Sequence, residues 1–428
     1  MTRLLERAVR VRPGELPATL WSFGYFCCLL ASYYVLRPVR EEMGVAAGVE
    51  RLPWLFTGTF VAMAAAVPVF GALAARYPRR TLLPVVYVFF IACILALFAL
   101  LRSGAAPAWA PAAFFIWLSV FNLFVVSVFW SFMADLWREE PARRVFGFIA
   151  AGGSAGALVG PALTAVLAPR IGPINLLPIA AVILAGALLC IARLRGWALA
   201  RRAGGDDEAA LGGAVLGGVT RVLRSSYLLG VCAFALLTTA LATFVYFEQA
   251  QIVRASVSDP ARRTALFARI DLAVNALTIA AQLFATSRLV ARLGVGRALA
   301  ILPALSLAGF AAIAAAPALA VLVGFQVLRR AAQYAVAGPA REMLFTVVTR
   351  EEKYKAKNFI DTVVYRGGDA VSGWAFAGLT AVGLGSTGIA VVALPLCAVW
   401  IVMAMYLGRR QAALRPAPEG RTVRGDAT

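Results

Sequence analysis

The residues of this chain with the clearest chemical potential are charges embedded in apolar, helix-forming sequence, and they collect in Leu328–Gly373. A charge deep in a bilayer costs about 2.5–3.5 kcal/mol on insertion scales, so it usually faces the bundle interior or a water-filled path. We therefore look for function in this stretch. Its embedded charges are Arg329, Arg330, Arg341, Glu342, Asp361, Arg366 and Asp369.

Long apolar helices are the elements that must position these charges. Hydrophobic residues make up 61% of the 428 positions, and the mean hydropathy is +0.81. A chain with this composition is too apolar to be a soluble domain of this size. Apolar runs of about 18–22 residues recur along the whole chain, and each is long enough to cross a bilayer. The pattern predicts an all-α membrane protein with twelve transmembrane helices, and the polar residues 1–17 do not resemble a cleavable signal peptide.

The net charge of +20 is explained by membrane orientation rather than by nucleic-acid binding. Basic residues concentrate at both termini and in the connections that follow even-numbered helices, as the positive-inside rule requires of cytoplasmic segments. We expect a multi-pass protein of a bacterial inner membrane with both termini in the cytoplasm. Its expected partners are the lipid bilayer and a small solute but no nucleic acid, and a monomer is expected.

Cysteine and histidine usage argues against metal and redox chemistry. All six cysteines lie in apolar runs without metal-ligand spacing, and the chain has no histidine. We expect no disulfide, no metal and no cofactor. No nucleophile–base set is evident, so an enzyme is not expected.

Composition divides the chain near its middle. Residues 201–218 are Gly-rich and charged, which is typical of a flexible linker. The predicted units are an N-terminal six-helix bundle over 1–200, this cytoplasmic linker, a C-terminal six-helix bundle over 219–408 and a disordered basic tail over 409–428.

Two short patterns recur at matching places in the two halves. Leu73–Arg76 matches Leu289–Arg292 after the second helix of each half, and Arg138–Glu140 matches Arg350–Glu352 after the fourth. This order predicts two parallel six-helix halves that hold a substrate at their interface. The two Arg-Glu-Glu loops could be latches between the halves, or merely solvated charged loops.

The glycines of the fifth predicted helix form a smooth strip. Gly152, Gly156 and Gly160 are four residues apart, which favours close packing against another helix.

Several embedded charges share a helix face with an aromatic residue, within about 40° on a helical wheel. Helix 1, predicted to end near Leu36, carries Tyr33, Arg37 and Arg40, which could instead form an interfacial belt. Helix 10 carries Arg330, Tyr334 and Arg341, if its Gly-Pro pair leaves it intact, and helix 11 carries Asp361 and Tyr365. Tyr33, Tyr334 and Tyr365 could stack on a base or simply pack, and Trp130 is expected to pack.

The embedded arginines outnumber the acids expected at matching depth. Ion pairs between helices would explain any single charge, but not the whole set. Because a guanidinium grips phosphate or carboxylate with a fork of donors, the surplus indicates an anionic substrate. The predicted substrate-binding residues are Tyr33, Arg37, Arg40, Arg330, Tyr334, Arg341 and Arg366. The acids predicted to balance charge or gate are Glu41, Asp135, Glu139, Glu248, Asp271, Glu351, Asp361 and Asp369.

Four stretches resemble the bacterial and plastid ATP/ADP antiporters, the nucleotide translocases of the major facilitator superfamily. Leu36–Glu41 is similar to the family's Leu-Arg-x-x-Lys-Asp, and Phe129–Asp135 to its Phe-Trp-x-Phe-Ala-Asn-acid. Gln333–Met343 is similar to its Lys-Tyr…Pro-x-Lys-Glu-Met, and Lys355–Val364 to its Lys-x-Lys-x-x-Ile-Asp-Val-Val.

The chain also departs from that family. Arginines stand at positions 40 and 341, where the family has lysines. After position 364 the family has Gly-Lys-Ser-Gly, whereas this chain has Arg366-Gly-Gly-Asp369.

The resemblance implies a major-facilitator-type carrier that exchanges anionic metabolites by alternating access, with ATP/ADP antiport and nucleotide binding as the most specific expectation. One alternative is a proton-coupled exporter of another anionic or amphiphilic small molecule. Another is a membrane subunit that binds a partner and transports nothing.

Overall fold

The computed structural model describes residues 14–77, 79–104, 106–137, 139–201, 225–348, 356–357 and 359–414. These residues form twelve long helical elements. The first half contains α1 Leu16–Ala46, α2 Leu52–Arg76, α3 Arg79–Arg102, α4 Ala110–Leu136, α5 Glu139–Ile171 and α6 Leu176–Arg201. The second half contains α7 Ser226–Ser256, α8 Pro260–Phe284, α9 Thr286–Ala315, α10 Leu319–Ala332, α11 Tyr365–Ala381 and α12 Ser386–Ala413.

Ten of these helices are long and apolar enough to cross a membrane. The other two, α10 and α11, adjoin π-helical segments that divide a longer helix. Gln333–Ala337 continues α10 into the helical turns Gly338–Leu344, and Ile360–Val364 leads into α11. The Gly-Pro pair at position 338 therefore leaves helix 10 continuous, and the prediction of an all-α, twelve-helix membrane protein is confirmed.

Two helix ends differ from the sequence prediction. Helix α1 does not end at Leu36 but passes through Pro38 to Ala46. The end predicted from the apolar run was too early, because the last turns of this helix carry charges. These charges form ion pairs inside the protein. Helix α12 likewise extends to Ala413, into the segment predicted as a tail. The predicted linker beyond residue 201 and the tail beyond 414 lie outside the described residues.

Each half has its own apolar core. One cluster of buried residues comes almost wholly from α1–α6 and the other mainly from α7–α12. The halves meet where α1 and α5 contact α8 and where α2 contacts α11. The Nδ2 group of Asn275 on α8 donates to the carbonyl oxygen of Ala157 on α5, at 2.7 Å.

The glycine strip of α5 lies directly against the backbone of α1. A Cβ atom at Gly152 or Gly156 would overlap the carbonyl oxygen of Phe23 or Cys27, and one at Gly160 would lie 2.7 Å from that of Ala31. Close helix packing, as predicted, accounts for this strip.

Replacing Gly156 by Ala is expected to destabilise the protein by about 1–3 kcal/mol, because the added methyl group forces α1 and α5 apart. Thermal unfolding of the purified protein in detergent would measure this loss. Gly147→Ala on the same helix is the matched control, since nothing lies within 4 Å of a Cβ there. Equal stability of the two variants would contradict the packing argument.

The halves are also joined by ion pairs at the end predicted to face outward. Arg263 on α8 donates from Nε and Nη2 to the two carboxylate oxygens of Glu42 on α1, both at 2.7 Å. Arg254 on α7 lies 3.3 Å from Glu50, with both side chains more than half exposed. These pairs close this end of the interface between the halves.

Candidate functional site

A cavity of about 580 Å³ lies between the halves, beneath the end that the ion pairs close. Among the described residues, Arg37, Glu41 and Phe56 line it from the first half, and twenty-three residues line it from the second. Helices α7, α8, α10 and α11 therefore form most of the wall. The charged and amide side chains in that wall are Gln249, Asp271, Gln326, Arg329, Arg330, Gln333, Arg341, Asp361, Arg366 and Asp369.

One carboxylate at the centre of the cavity serves two guanidinium groups. The Oδ1 atom of Asp271 on α8 lies 2.8 Å from Nη2 of Arg330 on α10 and 3.3 Å from Nη1 of Arg37 on α1. The Asp271 side chain is only 3% exposed. Because Arg37 belongs to the first half and the other two residues to the second, this shared carboxylate ties the halves together.

A third guanidinium lies beside this group without a counterion. Arg329 is 4% exposed, and its Nη1 donates only a long hydrogen bond of 3.5 Å to Oε1 of Gln333. Its Nε has no hydrogen-bond partner, and no carboxylate of the described residues lies within 4.0 Å of it. Arg37 and Arg330 thus share the carboxylate of Asp271, while Arg329 pairs with no described carboxylate. We call these four residues the arginine cluster.

Arg329 is an embedded charge for which the sequence predicts no role. Arg330 was predicted to bind substrate instead, because it aligns with Tyr334 and Arg341 on a helical wheel. The adjacent arginines at positions 329 and 330 were the available sign of a role for Arg329. Neighbouring residues of a helix point about 100° apart, so both can face the bundle interior only if the cavity extends around the helix.

A second group of charges lies in the more exposed part of the cavity. Arg341 is 3.1 Å from Asp361 and lies over the Tyr365 ring, 4.9 Å from its centroid. Arg366 pairs with Asp369 at 3.8 Å. Here acids and arginines are equal in number, so the uncompensated positive charge belongs to the arginine cluster.

Other predicted residues lie elsewhere. Arg40 stacks on Phe115, 3.9 Å from the ring centroid, with its Nη1 3.5 Å from Glu41. Tyr33 packs on the neighbouring Tyr34 ring. Neither Arg40 nor Tyr33 is among the described residues that line the cavity, because both side chains are engaged in packing around α1.

The remaining predicted acids are not part of the described wall. Asp135 is exposed at the end of α4. Glu248 on α7 is fully buried beside Gln249. Glu351 and the side chain of Glu139 lie outside the described residues, so the predicted Arg-Glu-Glu latches stay a prediction. Trp130 packs among Phe26, Phe129 and Phe146, as expected.

Sequence comparison identifies the class of protein that this fold and cavity define. The Major Facilitator Superfamily model matches residues 18–258, more than half of the chain. The chain belongs to the Major Facilitator Superfamily and is a multi-pass secondary transporter. The model of the TLC ATP/ADP transporter matches residues 264–411, which confirms the resemblance to the ATP/ADP antiporter family over the helices that form most of the cavity. No curated protein matches the chain.

Solved structures share the fold at low sequence identity. An auto-inhibited peptide transporter of the POT family superposes with a TM-score of 0.65 at 13% identity, covering 95% of this chain and 98% of that one. A bacterial homologue of the iron transporter ferroportin, in its inward-facing state, gives 0.66 at 13% identity over 92% and 99%. The nucleoside transporter NupG gives 0.61 at 13% identity over 95% and 100%. At this identity the likeness concerns the fold alone.

Proposed function

We propose that this transporter exchanges anionic metabolites, with ATP and ADP as the best-supported pair. The observation that carries the proposal is the arginine cluster, in which three largely enclosed guanidinium groups face one described carboxylate, and the buried Arg329 has no described counterion. A buried charge without a counterion is costly, so the cluster is poised to accept an anion. Phosphate oxygens suit this role because guanidinium groups bind them with paired, charge-assisted hydrogen bonds.

The size and lining of the cavity support a nucleotide as the anion. Its volume of about 580 Å³ falls within the roughly 300–1,000 Å³ of small-molecule sites. Tyr334, which is 45% exposed, and Phe56 offer aromatic faces on which a base could stack. The match of the second half to the ATP/ADP transporter model supports the same substrate class.

The shared carboxylate suggests how transport is limited to exchange. In the empty carrier, Asp271 holds Arg37 of the first half against Arg330 of the second. A substrate phosphate that binds Arg37 competes with Asp271 for its donors and releases this tie, while Arg329 and Arg330 offer the phosphate further donors. The halves are then free to rock, whereas the empty carrier stays tied, so net leakage is suppressed.

Exchange in proteoliposomes tests the proposal. Vesicles loaded with unlabelled ADP should take up labelled ATP without a pH gradient, and empty vesicles should not. Arg329→Gln is expected to reduce uptake at least tenfold, because it removes the uncompensated cation. The matched control is Arg269→Gln on α8, which removes an exposed arginine outside the cavity wall. No uptake by the folded wild-type protein would refute ATP/ADP exchange, and equal uptake by both variants would refute the role of Arg329.

Glu248 favours a second candidate, a proton-coupled exporter of another anionic or amphiphilic molecule. A proton-coupled carrier needs an acid inside the bundle that binds and releases a proton as the halves rock, and Glu248 is fully buried on α7. Substrate flux driven by a pH gradient in the absence of internal nucleotide, and abolished by Glu248→Gln, would favour this candidate over exchange.

We further propose that the protein acts as a monomer in a bacterial inner membrane with both termini in the cytoplasm. The excess of basic residues in the connections after even-numbered helices supports this orientation.

A further inference from the structure

A second cavity, of about 790 Å³, lies where α9, the end of helix 10 and α12 meet. These are the helix ends predicted to face the cytoplasm, on the side of the molecule opposite to the Glu42–Arg263 pair. We call it the α9–α12 cavity. Among the described residues it shares no lining residue with the central cavity, so it is a separate site.

Glycines create this space. Gly294 adopts a left-handed φ of 73° and interrupts α9, so that Thr286–Leu293 leaves the axis of the rest of the helix. Two residues later α9 crosses α12 through a glycine pair, and a Cβ at Gly296 would lie 3.1 Å from the Cα of Gly408. Because neither glycine has a side chain, the two helices touch at the crossing and diverge beyond it.

The wall of this cavity combines positive charge with apolar surface. Among the described lining residues the only charged ones are Arg297 and Arg409, both exposed. Neither of them forms an ion pair with a described carboxylate. Apolar side chains, including Val290 and Met405, line most of the remainder, together with the uncharged polar residues Thr286, Ser287 and Gln411. A free inorganic anion would gain nothing from these apolar walls. An amphiphile would contact the arginines with its charged group and the apolar side chains with its hydrocarbon chains.

The position of the cavity identifies the source of such an amphiphile. Leu283 and Phe284, just before α9, are 71% and 72% exposed, and Val402 on α12 is 68% exposed. Large apolar side chains this exposed on membrane-spanning helices face lipid. These residues adjoin the lining residues Thr286 and Met405 along the chain, so we infer that the cavity opens toward the bilayer at the depth of the headgroups. Basic recesses between helices on the cytoplasmic side are suited to anionic lipid headgroups.

We propose that the α9–α12 cavity binds an anionic phospholipid, with Arg297 and Arg409 contacting its phosphate and the apolar wall contacting its acyl chains. Occupancy would brace α9 against α12 at their glycine crossing. The lipid would therefore stabilise the second half of the transporter.

Thermal unfolding of the purified full chain in detergent tests this proposal. Dioctanoyl phosphatidylglycerol is expected to raise the unfolding midpoint by several degrees more than dioctanoyl phosphatidylcholine at the same concentration. This selective shift should be lost in the double variant Arg297→Gln/Arg409→Gln. It should also be lost in Ala412→Trp, which keeps both charges but fills the cavity. The control Arg193→Gln/Arg195→Gln removes two charges at the same predicted membrane side of the first half and should retain the shift.

Three outcomes would overturn the proposal. The wild-type chain could show no selectivity for the anionic lipid, as when another part of the chain fills the cavity. The control could lose the shift as fully as the cavity variants, which would indicate diffuse electrostatic attraction. Glycerol phosphate alone could reproduce the shift in the wild type but not in the double variant, which would make the ligand a free phosphate instead of a lipid.

Discussion

Replacing Asp271 by Asn is expected to lower the thermal stability of the ligand-free transporter and to enlarge the stabilisation provided by added ATP. Asp271 is the shared counterion of Arg37 and Arg330, and its side chain is only 3% exposed. Removing one partner of a buried ion pair costs about 3–5 kcal/mol, because the remaining charges are left uncompensated. A phosphate that binds the three bare guanidinium groups then restores more stability than it adds to the wild type. Unfolding midpoints with and without ATP would measure both effects.

Asp361→Asn is the matched control for this prediction, since it neutralises another aspartate of the same cavity. Asp361 is 39% exposed on its side chain and, among the described residues, pairs only with Arg341. An exposed pair contributes about 0–1 kcal/mol, so a small change is expected. If the two variants lost equal stability, or if ATP stabilised Asp271→Asn no more than the wild type, Asp271 would not be the counterion that the substrate replaces.

Breaking the Glu42–Arg263 pair is expected to open the end of the transporter that it closes. The double variant Glu42→Gln/Arg263→Gln removes two short hydrogen bonds between α1 and α8, formed by side chains that are 3% and 11% exposed. Inverting a 1:99 equilibrium takes about 5.5 kcal/mol. Hydrogen bonds to charged groups contribute about 1.5–3 kcal/mol each, so loss of the two bonds between Glu42 and Arg263 is enough to populate the opposite state. Spin labels at positions 51 and 258, in a background without native cysteines, would report a second, longer distance.

The second ion pair at the same end provides the control. Glu50 and Arg254 also join the halves, but they are 73% and 52% exposed and 3.3 Å apart. Glu50→Gln/Arg254→Gln is expected to leave the distance distribution unchanged, because exposed pairs contribute little. The same widening in both double variants, or in neither, would contradict a closing role for the buried pair.

Hydropathy and charge placement were sufficient to predict the membrane fold, the number of helices and the presence of a charged cavity. These features depend on the types of residue along the chain, and short stretches of sequence are enough to show them. The same holds for the α5 glycine strip, whose spacing alone indicates a packed face. Arg330, Tyr334 and Arg341 were selected by helical periodicity, and all three line the cavity.

Features that depend on contacts between distant helices could not be predicted in this way. The pairing of Arg37 with Asp271 joins residues more than two hundred positions apart, and no local pattern records it. The uncompensated state of Arg329 is the absence of a nearby carboxylate among the described residues, which only the assembled bundle reveals. The length of α1 was underestimated because its last turns carry charges that are buried by a neighbour, Glu42 against Arg263 being the clearest case.

The uneven lining of the cavity makes the two halves unequal targets for natural selection. Of the described lining residues, only Arg37, Glu41 and Phe56 belong to the first half. A change of cargo can therefore evolve by substitutions within residues 225–414, while the first half keeps its role as a rocking counterpart. A chimera that joins the first half of this chain to the second half of a relative, fused between α6 and α7, should inherit the relative's cargo.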